Sequence, residues 1–322
     1  MRSYDDILCI FYMLQVIIGT FGNGLLLCFC GYNIITGQRM RPIELIFINL
    51  AFSNIVMILL RGVPWAIHSC TQKIFLGDIK CKIIFYLQRM ARGISLCSTC
   101  FLSVLQAITI SSGHPIWAEL RARVQKYIFP FYAFIWVLNL LIDGAVPLYV
   151  TGTRNNTNRN LIRNLGYCSI DRRALNTSKL LIWKLLYDAV FVGFMAITSG
   201  YMVVILYRHH WQVQHIHKTI LNHSSSPETR ATKAILLLIS TFVCFYSFSS
   251  IFIIVMDNSI DTNQWMIHVS VVFSLCYPTI SPFLLICSDS QMPNCYNAFK
   301  RMKMSNHQIM RTNMLKQRAM VF

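Results

Sequence analysis

The chain contains seven long stretches without a single charged side chain: Ile7 to Gln38, Leu45 to Leu60, Gly93 to Ala118, Tyr127 to Ile142, Ala189 to Tyr207, Ala234 to Met256 and Thr262 to Ser288. A helix crosses the hydrocarbon core with about 20 apolar residues, because each backbone N–H and C=O must find its partner inside the segment. Allowing a few charges within the spans, the sequence predicts helices near residues 7–31, 45–66, 83–110, 128–150, 182–207, 234–256 and 265–287, with a tail over 288–322. The runs lack the alternation of outer-membrane strands. The expectation is an all-α membrane protein, one seven-helix unit over residues 1–322.

Composition agrees. Hydrophobic residues make up 55% of the 322 residues and charged ones 13%, and the mean hydropathy is +0.50, which is wrong for a water-soluble domain. A net charge of +17 does not indicate nucleic acid, since the basic residues fall in short groups between apolar stretches. An anionic membrane face explains them better, so the lipid bilayer is the expected partner and the plasma membrane the expected location. No cleavable signal is expected, because the first run is too long for one and lacks a small-residue cleavage site.

Lys and Arg are equally dense on the two sides, so the positive-inside rule does not orient the chain. Two other features favour an extracellular N-terminus and a cytoplasmic C-terminus. The acceptor triplets at Asn155 and Asn176 both lie between spans four and five, against one triplet, at Asn222, on the other side. Cys81, at the mouth of span three, and Cys168, in that same loop, would form a disulfide in an oxidising compartment. Cys9 and the other span cysteines read as small buried hydrophobes, which leaves Cys70 outside without a role.

Enzyme motifs are missing: there is no phosphate loop, dinucleotide turn, nucleophile elbow or catalytic carboxylate pair. No catalytic activity, cofactor or metal is expected. Cys97-Ser98-Thr99-Cys100 lies in an apolar helix without solvent for redox chemistry. His209, His210, His215 and His217 have no Cys or carboxylate to complete a zinc set, and read as a solvated basic loop.

The sharper signal is charge inside the spans, at Arg61, Arg89, Arg92, Asp143, Lys184 and Asp188. Each is costly in lipid unless paired or facing a polar cavity. Arg89 and Arg92 are three apart, with Gln88 beside them. Asp188 has two readings: neutralised by Lys184 on its own helix, or paired with Arg92 across the bundle. Arg89 has two as well, ligand contact or snorkelling to the headgroups. Pro278 and Pro282 bracket a bend low in span seven, while Asn23, Asn49 and Asn54 read as packing glue between spans.

Gly22-Asn23, the seven spans and the Cys81–Cys168 pair resemble the rhodopsin-like G-protein-coupled receptors. Finer strings resemble the vomeronasal type-1 (pheromone) receptors along nearly the whole chain. Among them are Leu50-Ala51-Phe52-Ser53-Asn54, Arg61-Gly62-Val63-Pro64, Ala91-Arg92-Gly93-Ile94-Ser95-Leu96-Cys97, Pro278-Thr279-Ile280-Ser281-Pro282 and the very specific Ser225-Ser226-Pro227-Glu228-Thr229-Arg230-Ala231-Thr232. Most receptors of the wider class read acidic-Arg-aromatic where this chain has Leu105-Gln106-Ala107, and an acidic residue where it has Asn54. Phe245-Tyr246-Ser247 replaces their Trp-x-Pro. The resemblance implies a chemosensory receptor that detects small pheromone-like molecules and couples to a heterotrimeric G protein of the inhibitory class. Gln88, Arg89 and Arg92, with Asp188 and Phe252 opposite, are the expected ligand contacts. Arg121, Arg123, Lys126 and Arg208 are the expected G-protein contacts.

Overall fold

A computed structural model describes residues 2–35, 41–71, 76–111, 115–152, 162–164, 166–171, 177–216, 227–258 and 264–288. Seven helical segments are long and apolar enough to cross a membrane. They are α1 (Arg2–Ile35), the pair α2 (Pro42–Met57) and α3 (Val63–Thr71), α4 (Asp78–Ile110), α5 (Pro115–Ile142), α7 (Thr177–Ile216), α8 (Pro227–Asn258) and α9 (Gln264–Ser288), with a one-turn α6 (Val146–Tyr149) after α5. Large apolar side chains on the outer faces are exposed, such as Phe21 on α1, Phe134 on α5 and Ile197 on α7. This is the inverse of a soluble protein's surface and what a lipid solvent requires.

The second span is not one regular helix. Ile58–Gly62 forms a π-helical turn between α2 and α3. Pro64 has no N–H for the carbonyl of Leu60 four residues back, and the wider i→i+5 geometry passes that carbonyl to a residue beyond the proline. The start of α2 is held by Glu44, buried at the helix N-terminus. It accepts from the Arg41 backbone N–H at 3.1 Å, from Arg41 Nε at 3.0 Å and from Asn33 Nδ2 of α1 at 3.1 Å.

α4 is the central post and the most buried span, contacting α2, α5, α7 and α8. Around its lower half Leu96, Leu102, Phe47, Leu50, Met195, Leu238 and Phe242 form one core cluster. A second cluster, including Tyr12, Ile58, Trp65, Tyr149 and Tyr167, fills the other end. That end carries a feature the all-helical expectation did not contain. Three short strands, β1 (Val150–Gly152), β2 (Ile162–Asn164) and β3 (Cys168–Asp171), pair antiparallel in the order β1-β3-β2. The sheet is pinned to α4 by the Cys81–Cys168 disulfide, with Cα atoms 5.9 Å apart. Gly152 also donates its N–H to Asp78 Oδ1 at 2.6 Å, and a Cβ on Gly152 would lie 2.8 Å from the Leu76 carbonyl.

One cysteine expectation is corrected. Cys9 is not a buried hydrophobe in isolation: it is bonded to Cys70, tying α1 to α3 at the same end of the bundle. Helix periodicity alone does not reveal that the two helix ends meet.

In the middle of the bundle the asparagines act as linkers. Pro282 lacks an N–H, so the Pro278 carbonyl four residues earlier loses its helical donor. Asn23 Nδ2 supplies one from α1 at 2.9 Å. Asn54 Nδ2 donates to Ser281 Oγ at 2.9 Å and Ser95 Oγ donates to Asn54 Oδ1 at 3.2 Å, joining α2, α4 and α9. Asn49 Oδ1 accepts from Trp136 Nε1 at 3.0 Å.

Candidate functional site

Arg92 sits on the α4 face that looks toward α8 and α9. The helix register places Gln88, Arg92 and Ser95 along that side, one turn apart. The guanidinium lies over the Tyr246 ring, 4.1 Å from its centroid, and Nη2 donates to Ser250 Oγ at 3.0 Å. The Tyr246 hydroxyl in turn donates to Asp188 Oδ2 of α7. Arg92 and Asp188 are therefore linked through Tyr246. Among the described residues no ion pair joins them directly, which corrects the cross-bundle reading.

The reading of Asp188 as the neutraliser of Lys184 is corrected as well. Lys184 Nζ donates to Asp143 Oδ2 at 3.2 Å, and Arg89 Nε donates to Asp143 Oδ1 at 3.2 Å. One buried carboxylate thus serves two cations, Arg89 of α4 and Lys184 of α7, from the turn that follows α5. Arg89 Nη1 also donates to Tyr149 Oη at 3.2 Å, so Arg89 points away from Arg92. Gly93 makes room for this cluster: a Cβ there would collide with Asn139 Oδ1 and stand 3.4 Å from Lys184 Nζ.

A cavity of about 30 Å³ adjoins Arg92, walled by Met57, Ser95, Phe242, Tyr246, Phe273 and Tyr277 among others. Five of its wall residues are aromatic: Phe242, Phe245, Tyr246, Phe273 and Tyr277. Phe242 stacks on Tyr246 at 5.2 Å and meets Tyr277 edge-on at 4.6 Å, and the Tyr277 hydroxyl shares a 2.8 Å hydrogen bond with Thr99 Oγ1. An apolar wall with a few fixed polar groups suits a small organic molecule.

Of the five residues expected at the ligand site, Arg92 lines this cavity. Asp188 reaches it through Tyr246. Gln88 is buried one turn away, and its Oε1 accepts no hydrogen bond. Phe252 stands behind the wall, packed on Phe273 and Trp265. Arg89 belongs to the Asp143 cluster. Tyr246 and Ser250 were not among the expected contacts. Their spacing, with Phe242, at four-residue intervals on one face of α8 is the signal that could have found them.

At the opposite end of the bundle Arg121, Arg123, Lys126 and Arg208 are exposed. Arg123 pairs with Glu119 at 2.6 Å, and Lys126 Nζ lies 5.6 Å from the Tyr127 ring centroid. The acceptors Asn155 and Asn176, and the tail after Ser288, lie outside the described residues.

Known proteins are similar to this chain over most of its length. The model of the vomeronasal organ pheromone receptor family matches residues 6–298. The chain is 36% identical to human vomeronasal type-1 receptor 4 over 290 residues, 89% of this chain and 96% of that protein. It is 36% identical to human vomeronasal type-1 receptor 3 over 302 residues, 92% and 96% of the two chains. Against the zebrafish (Danio rerio) olfactory receptor class A-like protein 1 the identity is 31% over 284 residues, 87% and 89%. With seven segments able to cross a membrane and a match over nearly its full length, the chain belongs to the vomeronasal type-1 receptor family and is a multi-pass chemosensory receptor of the plasma membrane.

Proposed function

We propose that this receptor detects small pheromone-like molecules in the cavity beside Arg92 and activates a heterotrimeric G protein of the inhibitory class. The N-terminus is extracellular, the bridged end with its acceptors Asn155 and Asn176 faces outward, and Arg121, Arg123, Lys126 and Arg208 contact the G protein. The observation that carries the reading is the chain Ser250–Arg92–Tyr246–Asp188, which joins α8, α4 and α7 at the cavity wall. A molecule that engages Arg92 competes with Tyr246 and Ser250 for it, and so shifts the relative packing of three helices. The coupling needed is about 1–3 kcal/mol, within reach of one cation–π contact and one hydrogen bond. A volume of about 30 Å³ is far below the several hundred Å³ of a typical ligand site. Binding therefore requires the aromatic wall of Phe242, Tyr246 and Phe273 to move, which turns occupancy into a change of shape.

The test is nucleotide exchange on an inhibitory-class G protein in membranes containing the receptor, challenged with a panel of acidic and neutral volatile and steroid-like compounds. Agonist-driven exchange is expected, with potency reduced about tenfold or more in Arg92→Ala at equal surface expression. Unchanged potency in Arg92→Ala would refute the cavity assignment. Absence of exchange across the panel with any class of G protein, at normal surface expression, would refute the coupling.

A further inference from the structure

Among the described residues neither Arg61 nor Arg92 forms an ion pair. Arg61 sits in the π-helical turn, four residues after Met57, which lines the cavity with Arg92. Its Nε is buried and donates to nothing, and among the described residues no carboxylate lies within ion-pair distance of it. Its electrostatic neighbours are Tyr167, Arg92 and Tyr12. The Tyr12 hydroxyl is 3.1 Å from His268 Nδ1. Tyr167, in the loop above, is pushed by burial up to about 12 even with Arg61 acting to lower it, so it stays uncharged at neutral pH. Asp143 is shared by Arg89 and Lys184. Asp188, held by Tyr246, is then the described carboxylate linked to Arg92, and Arg61 has none within ion-pair distance.

An unmatched guanidinium at membrane depth is unfavourable unless a counter-charge reaches it. We infer that Arg61 and Arg92 together seat one small anionic group, either a free halide ion or the acid head of an organic ligand, between the π-helical turn and α4. The inference rests on the reading of the Arg92 cavity as the ligand site. The planar forks of two arginines suit a carboxylate or similar oxyanion, which takes several charge-assisted hydrogen bonds at once. The cavity's volume admits the head of such a molecule without movement of the wall, and its apolar remainder only with it.

The experiment measures the thermal midpoint of the purified full-length receptor in lipid nanodiscs. One arm titrates sodium chloride against sodium gluconate at constant ionic strength. The other compares hexanoate with hexanamide. A saturable rise of roughly 2–4 °C is expected with chloride, with hexanoate or with both, and not with hexanamide. A shift with chloride alone identifies the occupant as an inorganic ion, and one with hexanoate alone identifies an organic acid head. The shift should vanish in Arg61→Gln and in Arg92→Gln. It should also vanish in Met57→Glu, where a fixed carboxylate takes the anion's place, and this variant keeps the test open if the arginine variants do not fold. No anion-specific shift in the wild type, or a shift retained in Met57→Glu or in either arginine variant, overturns the proposal. Because the readout is stability, a failed nucleotide-exchange assay beside an intact anion shift would overturn G-protein coupling and leave the anion seat standing. The reverse pattern would do the opposite.

Discussion

Tyr246 does two jobs with two ends of one side chain: its ring carries Arg92 and its hydroxyl donates to Asp188. Asp188 is buried, and its second oxygen Oδ1 accepts no hydrogen bond. Tyr246→Phe keeps the ring and removes the donor, leaving a buried carboxyl group with neither oxygen bonded. A loss of about 1–3 kcal/mol is expected. In an Asp188→Asn background there is no buried carboxyl group to strand, so the same change should cost at least 0.5 kcal/mol less, roughly the floor for residues in contact. Thermal midpoints of the four proteins of this cycle check the prediction, and strict additivity would show that the hydroxyl does not serve Asp188. The importance of Arg92 was legible from the sequence, because an arginine in an apolar span demands a reason. Its partner was not, since a tyrosine in a membrane helix is unremarkable until the facing helix is known. The same limit applied to Lys184. Its four-residue spacing to Asp188 pointed along α7, whereas the Asp143 carboxylate reached it from α5.

The bent elements of the bundle are held by side chains from other helices. In α9 the Pro278 carbonyl, deprived of a donor by Pro282, is served by Asn23 of α1. Gly22, next to it, lets α1 approach, since a Cβ there would come within 2.9 Å of Pro282 and Phe283. Asn23→Ala is expected to cost about 1–3 kcal/mol by orphaning that carbonyl. Pro282→Ala restores the intrahelical N–H, so the double variant should recover part of the loss. If Pro282→Ala gives the same change in both backgrounds by thermal unfolding, Asn23 is not the carbonyl's substitute donor. Seven apolar runs made the spans themselves legible, because lipid leaves a helix no alternative. The π-helical turn at Ile58–Gly62, the break between α2 and α3 and the three-stranded sheet were not anticipated. Pro64 signals trouble for Leu60 without saying whether the helix kinks, stops or widens, and strands of three or four residues leave no periodicity to read. The Cys9–Cys70 bridge escaped for a related reason: pairing depends on where α1 and α3 end in space, which spacing along the chain does not encode.

The two ends of the molecule are fastened differently. One is closed by two disulfides and a sheet pinned to α4. At the other end, where Glu44 ties α1 to α2, α4 is joined among the described residues to its neighbours by neutral hydrogen bonds, Gln106 Nε2 to Thr232 Oγ1 at 3.2 Å toward α8, and Ser111 Oγ with Tyr201 Oη at 2.9 Å toward α7. A rearrangement started at the Arg92 cavity meets covalent resistance at the bridged end and only neutral hydrogen bonds where α4 meets α7 and α8 at the other, so these helices should separate at the end carrying Arg121, Arg123, Lys126 and Arg208. Gln106 stands where most receptors of the wider class have an arginine, and a neutral amide makes a weaker clasp than a charged one. Removing it should still favour the open packing. If the Gln106–Thr232 bond is worth about 1 kcal/mol, Gln106→Ala raises the open-to-closed ratio about fivefold. Basal nucleotide exchange should rise by up to that factor with agonist potency increased, since less of the ligand's differential affinity is consumed in opening. Cys70→Ser, which loosens the other end, is the control: it should lower the thermal midpoint without raising basal exchange. Equal basal exchange in Gln106→Ala and wild type, at matched surface expression, would place the gate somewhere other than the α4–α8 contact.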